Sequence, residues 1–197
     1  MNQDQLQALL TKVQQGALAV PDALHRLRTL PYENLGFASL DHHRALRQGF
    51  PEVIFCEGKT VSQVVAIAKT LLRKNNALLA TRVEPSVARA LLRVSKRAVY
   101  HEAARVVAIA PPKLVRRGAV LIVTAGTADI PVAEEARVTA DIMGSKTDTL
   151  YDVGVAGLHR LLGQQERLHD ARALIVVAGM DGVLPSVVGG LVRQPVI

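Results

Sequence analysis

Apolar residues recur at helical spacing where the chain starts. Leu6, Leu9, Leu10 and Val13 share one face, and Gly16 stops the run. Pro21-Asp22 opens a second helix with Leu24, Leu27 and Leu30 along its apolar side, so the pair predicts a short helical hairpin. No helical period holds from Pro31 to Gly58. Asp41-His42-His43-Arg44 and Arg47-Gln48-Gly49 predict loop, and Glu52 to Cys56 predicts a short strand. Thr60 to Lys74 predicts a helix, with Val61, Val64, Val65, Ile67, Ala68, Leu71 and Leu72 on its inner side. Ala77 to Val83 follows as a strand and Pro85 to Arg93 as a helix with proline near its first position. Arg105 to Ala110 is a further strand that ends at Pro111-Pro112.

The pattern then changes. The continuous apolar runs Ala119 to Thr124 and Ala173 to Ala178 predict strands buried on both faces. Between and after them come a helix over 131–143, a strand over 149–153, a helix over 158–168 and a helix over 184–192. Pro195-Val196-Ile197 begins one more strand. Strand and helix alternate with short links, which predicts a parallel, doubly wound sheet. The fold class is α/β, with an N-terminal α+β domain over 1–114 and a parallel α/β/α sheet domain over 115–197.

Ligands of such sheets sit at the carboxyl ends of the strands, and three loops there carry unusual residues. The first holds Gly126, Thr127 and Asp129. Its small residues expose backbone N–H groups at a helix start, which suits a phosphate, and Asp129 either caps the helix or meets a ribose hydroxyl. The second holds Asp152, Gly154, His159 and Arg160. His159 can titrate near neutrality and Arg160 can pair with a carboxylate or phosphate, or both simply open a helix. The third holds Gly179, Met180 and Asp181, followed by Pro185 and Ser186. A carboxylate between glycines at a strand end is a candidate general base, and equally a turn residue.

Composition narrows the class. The 197 residues are 49% hydrophobic and 21% charged, an ordinary globular balance. The single cysteine, Cys56, excludes an internal disulfide framework and any multi-cysteine zinc site, and no spacing specifies a metal. Neither an apolar run of membrane-spanning length nor a signal peptide is present in the sequence, so a cytoplasmic protein without membrane partners is expected. Charge is uneven: residues 1–118 carry 18 Lys and Arg against 8 Asp and Glu, and residues 119–197 carry 6 against 9. A basic half suits a polyanionic partner. Nucleic acid is disfavoured, because Tyr100 is the one aromatic in the basic stretch from Arg89 to Arg105 and no nucleic-acid-binding motif occurs.

These three loops resemble those of the carboxyaminoimidazole ribonucleotide mutase (PurE) superfamily. The likeness is stronger to one branch, the LarB-type pyridinium-3,5-biscarboxylic acid mononucleotide synthases. It rests on Thr124-Ala125-Gly126-Thr127 and Asp129 through Ala136, on Tyr151 through Arg160, and on Val177-Ala178-Gly179-Met180 with Leu184-Pro185-Ser186. Asp41, Arg44, Arg47, Gly49, Pro51-Glu52-Val53-Ile54 and Gly58-Lys59-Thr60 are similar to that branch's N-terminal block. The resemblance implies a carboxylase and hydrolase acting on nicotinic acid adenine dinucleotide. Such enzymes carboxylate the pyridinium ring at C5 with CO2 or bicarbonate and cleave the pyrophosphate to release AMP. Their product starts the nickel-pincer cofactor pathway of lactate racemase maturation. It further implies that Asp181 acts as base, that the glycine-rich loops hold the nucleotide, and that the protein is a homo-oligomer. No cofactor is required by the sequence, and Mg²⁺ at the pyrophosphate is compatible with the chemistry.

The chain departs from that pattern in three places. Asp181 stands where the branch has Glu, and Ala128 where it has Ser. The branch also continues past Pro195-Val196-Ile197 to a helix bearing a nucleophilic cysteine, so the resemblance implies a C-terminally incomplete chain, inactive alone. Two other functions stay open: a purine-pathway mutase acting on a ribonucleotide, and a non-enzymatic nucleotide- or RNA-binding module.

Overall fold

A computed structural model describes residues 3–27 and 32–197, so Leu30 of the second expected helix lies outside the described residues. The chain divides into two compact units. One takes Met1–Val99 and Val107–Ala110, the other Tyr100–Val106 and Pro111–Ile197.

The first unit opens on α1 (Gln3–Gln14) and α2 (Val20–Leu27). The expected apolar side of α2 is not what is buried: Ala23 is inside and Leu24 is 63% exposed. A hairpin of β1 (Tyr32–Asn34) and β2 (Ser39–Asp41) follows, with Glu33 opposite Leu40. The Asn34 side chain accepts the Gly36 N–H and closes its turn. The stretch expected to be loop contains a one-turn helix, α3 (Arg44–Gln48), ended by Gly49 in the left-handed conformation. One turn is too short to register as a period. Next come β3 (Ile54–Phe55), α4 (Val61–Lys74), β4 (Leu78–Thr81), α5 (Pro85–Val94), β5 (Val99–His101), of which only Val99 belongs to this unit, and β6 (Val106–Ile109), which belongs to it from Val107. The sheet order is β3-β4-β6-β5, with β3 and β4 parallel and β6 antiparallel to β4. Both β4 and β6 are buried throughout. Helix α4 starts at a capping box: Thr60 accepts the Gln63 N–H, and the Gln63 side chain accepts the Thr60 N–H. Val64, Ile67, Ala68 and Leu71 then form its buried stripe.

The second unit is the parallel sheet. Its elements are β7 (Arg117–Thr124), α6 (Ile130–Ile142), β8 (Ser145–Leu150), α7 (Leu158–Leu162), α8 (Gln165–Asp170), β9 (Ala173–Val177) and α9 (Leu184–Leu191). The order is β8-β7-β9, all parallel. Pro195-Val196-Ile197 pairs with β9: the Leu174 N–H donates to Pro195 O, and the Val176 N–H to Ile197 O. One face of the sheet is an apolar core of Leu121, Val123, Leu174 and Val176 against Leu161, Leu168, Leu184 and Val188.

Three expectations shift here. Strand β8 begins and ends earlier than expected, because its continuous polar run Ser-Lys-Thr-Asp-Thr suits an edge strand and carries no apolar signal. The helix expected over 158–168 breaks after Leu162, where the Gly163 N–H returns to His159 O, leaving α7 and α8. Strand β9 alternates between buried and half-buried residues and is not buried on both faces. On its second side, α6 leaves an open apolar groove of about 560 Å³ beside Ala173 and Ile175. Among the described residues no helix is long and apolar enough to cross a membrane.

Candidate functional site

The sheet order makes β7 a switch point. The chain leaves β7 for β8 on one side and later returns to β9 on the other, so the loop after β7 lies between the other two. Backbone bonds lace the three loops together. The Ala125 N–H donates to Val177 O at 3.0 Å. The buried Thr124 accepts the Val153 N–H on its carbonyl and the Asp152 N–H on its hydroxyl, both at 3.0 Å. The Gly154 N–H donates to Ala125 O at 2.8 Å. That last approach demands glycine, because a Cβ on Gly154 would stand 2.7 Å from the Ala125 carbonyl oxygen.

The loops enclose an open cavity of about 440 Å³. Ala125, Gly126, Ala128 and Asp129 line it from the first loop. Gly154, Val155, Ala156 and Arg160 come from the second, and Gly179, Met180, Asp181, Val183 and Leu184 from the third. Of the residues expected from sequence, Gly126, Asp129, Gly154, Arg160, Gly179, Met180 and Asp181 therefore meet in one wall. Asp152 stands just behind it, its carboxylate accepting an Arg160 N–H at 2.6 Å. Thr127, His159, Pro185 and Ser186 are not on the lining, and His159 is exposed. Sequence reasoning passed over Val155, Ala156, Val183 and Leu184 as lining residues. Val155, Ala156 and Val183 each flank a glycine, and Leu184 directly precedes Pro185.

Asp129 has an unexpected role. It sits at the start of α6 but makes no side-chain cap bond there. Its carboxylate instead accepts the Gly126 N–H and the Gly179 N–H, each at 2.9 Å. It joins the first loop to the third and occupies backbone donors that sequence reasoning offered to a phosphate. Arg160 bends close over Gly157, where a Cβ would stand 2.7 Å from its Nε. Asp152 (φ 59°) and Asp181 (φ 67°) are two of the four described non-glycine residues with positive φ. Such backbone costs about 1 kcal/mol or more per residue, and it persists where surrounding contacts enforce it.

Cys56 lies in the first unit and is 4% exposed. Burial pushes its thiol up to about 11, which keeps it protonated and unreactive near neutrality. In the same unit Asp41 ties the N-terminal block together. Its carboxylate takes Arg47 at 2.6 Å and the His43 N–H at 3.0 Å, and its own N–H donates to Glu52. The Arg47 guanidinium holds the Asp41 carboxyl below the usual carboxylate range. Among the described residues no cluster of His, Cys, Asp or Glu is arranged to hold a metal ion.

Residues 32–111 match the LarB/PurE-like N-terminal domain family. The chain is also 35% identical to an uncharacterized protein of Methanocaldococcus jannaschii over 203 residues, covering 98% of this chain and 79% of the relative. The chain belongs to the LarB/PurE-like family. In this LarB/PurE-like chain, the block around Asp41, Arg47 and Glu52 lies within the matched domain. The three-loop cavity follows it in sequence, on the parallel sheet.

Proposed function

We propose that the three-loop cavity binds nicotinic acid adenine dinucleotide, and that the LarB-type reaction, ring carboxylation with release of AMP, is the chemistry it serves. The observation that carries this reading is the convergence of Arg160, Asp129, Asp181 and three glycines on one cavity of a LarB/PurE-like chain. In the reaction a C–C bond forms between ring C5 and CO2, the C5 proton passes to a base, and water cleaves the pyrophosphate. In this reading Asp181, on the cavity lining, takes that proton. Arg160 meets a phosphate or carboxylate of the ligand, exchanging part of its pairing with Asp152. An electron-poor pyridinium adds to CO2 only after a nucleophile has added to the ring. The cavity lining holds no thiol, so these 197 residues are expected to bind the dinucleotide without turning it over.

Titration calorimetry with nicotinic acid adenine dinucleotide, AMP and a free aminoimidazole ribonucleotide tests the assignment. Binding of the dinucleotide, weakened but still measurable in Arg160→Ala, is the expected result. Binding of the ribonucleotide alone would replace it with the purine-mutase reading. Carboxylation of the pyridinium ring by these residues in the presence of bicarbonate would refute the requirement for a thiol.

A further inference from the structure

Off the cavity lining, Glu134, Arg137 and Tyr151 form a hydrogen-bonded polar cluster. Glu134, in the second turn of α6, is 17% exposed. Its carboxylate accepts Arg137 Nε at 2.9 Å on one oxygen and a second Arg137 nitrogen at 2.8 Å on the other. The first oxygen also accepts the Tyr151 hydroxyl at 2.5 Å. Burial and the neighbouring Glu134 carboxylate push the Tyr151 phenol up to about 12, so it remains a donor. Tyr151 is the last residue before Asp152, whose backbone is left-handed and whose carboxylate holds Arg160.

We infer that Glu134, clamped by Arg137, is a positioning residue that acts through Tyr151 to hold the Asp152 loop and so aim Arg160 into the cavity. This rests on the cavity being the ligand site proposed above. The physical argument is one of leverage. A left-handed Asp152 relaxes toward right-handed backbone where the turn around it is loosened. Thr124 holds the peptide groups on both sides of Asp152, through the Asp152 and Val153 N–H groups. The Tyr151–Glu134 bond anchors the residue that enters this turn, and Arg137 holds Glu134 in the geometry to receive it. Without that anchor Thr124 still holds the turn, but Asp152 samples other backbone angles, and Arg160 is less often held by its carboxylate.

The test uses the full chain with Tyr151→Phe, which removes one oxygen, and Glu134→Gln as a second variant should the first fail to fold. Two readouts are needed. Amide exchange at Asp152, Val153 and Gly154 in the ligand-free protein should rise about tenfold in either variant. Affinity for nicotinic acid adenine dinucleotide should fall about tenfold, and this loss should vanish in an Arg160→Ala background, because both changes remove the same aimed guanidinium. Additive losses, or unchanged affinity, would mean a structural cluster only and would overturn the inference. If the unsubstituted chain binds no dinucleotide, the functional reading fails. The exchange data then decide the tether by themselves: unchanged loop amides refute it, and faster ones uphold it.

Discussion

Replacing Asp129 tests the account of the cavity most directly. Its carboxylate accepts two backbone N–H groups, from Gly126 and Gly179, each at 2.9 Å. Asparagine keeps the shape but offers one oxygen and one NH2, so one loop keeps its acceptor and the other meets a donor. A hydrogen bond to a charged acceptor is worth roughly 1.5–3 kcal/mol, and the partial exposure of Asp129 favours the lower end. Asp129→Asn should therefore cost about 1.5 kcal/mol and Asp129→Ala about 3 kcal/mol. At ~2–4 °C per kcal/mol for a chain of this size, melting temperatures should fall by ~3–6 °C and ~6–12 °C. Hydrogen exchange followed residue by residue supplies the decisive measurement. In Asp129→Ala the Gly126 and Gly179 amides should both lose protection, and in Asp129→Asn mainly one. If both amides keep their protection in Asp129→Ala, the loop-joining role is wrong. Lost dinucleotide binding with unchanged protection would instead put Asp129 on the ligand, as a ribose contact.

Two further outcomes separate steric from electrostatic control. Gly154→Ala sets a Cβ 2.7 Å from a backbone oxygen that cannot swing away, so urea unfolding should show a loss of about 2–3 kcal/mol. Gly157→Ala sets a Cβ equally close to the end of the flexible Arg160 side chain, so stability should change by less than ~1 kcal/mol while dinucleotide affinity falls. Reversed ranking of the two in stability would contradict the contacts described. Burial, followed by the Arg137 charge, lowers the His101 pKa below its ordinary 6.5, against weaker attraction from Glu134 and Asp141. The unfolded chain then binds the proton more readily. His101 contributes stability in full above about pH 6.5, and that contribution is lost as pH falls toward the folded value. Melting temperature should drop between pH 6.5 and 5 and drop less in His101→Gln; equal slopes would exclude His101 as the cause. Glu134 and Asp141, held below the usual carboxylate range by Arg137 and Arg116, act only at lower pH.

Much of the fold is legible in the sequence because burial imposes a period. Helix α4 and strands β4, β6 and β7 are found where their apolar patterns put them, since each is packed on a core that rejects polar residues. The errors have the opposite cause. Strand β5 has three residues and α3 has one turn, and neither is long enough to repeat a pattern. Strand β8 pairs with β7 through backbone bonds and carries five consecutive polar residues, Ser145 to Thr149, so it has no hydrophobic signature. Strand β9 reads as buried on both faces because its five apolar residues are continuous, yet α6 covers only part of its second face.

The site divides along a different line. Which loops converge could be read from the alternation of strand and helix, and seven of the expected residues meet because parallel strands bring their carboxyl ends to one edge. What each side chain does there could not be read. Whether Asp129 caps its own helix or reaches the third loop depends on a strand order that places residues 129 and 179 side by side. The tether from Tyr151 to Glu134 spans 17 positions and depends on where the turn after β8 leaves the phenol. Strain is equally silent in sequence: nothing in the letters of Asp152 or Asp181 announces positive φ, whereas the glycines around them do suggest a tight backbone. The chemistry of the cavity is thus set by pairings between loops. A substitution at Glu134, distant in sequence from Arg160, should alter ligand affinity more than one at His159, which is adjacent to Arg160 and absent from the lining.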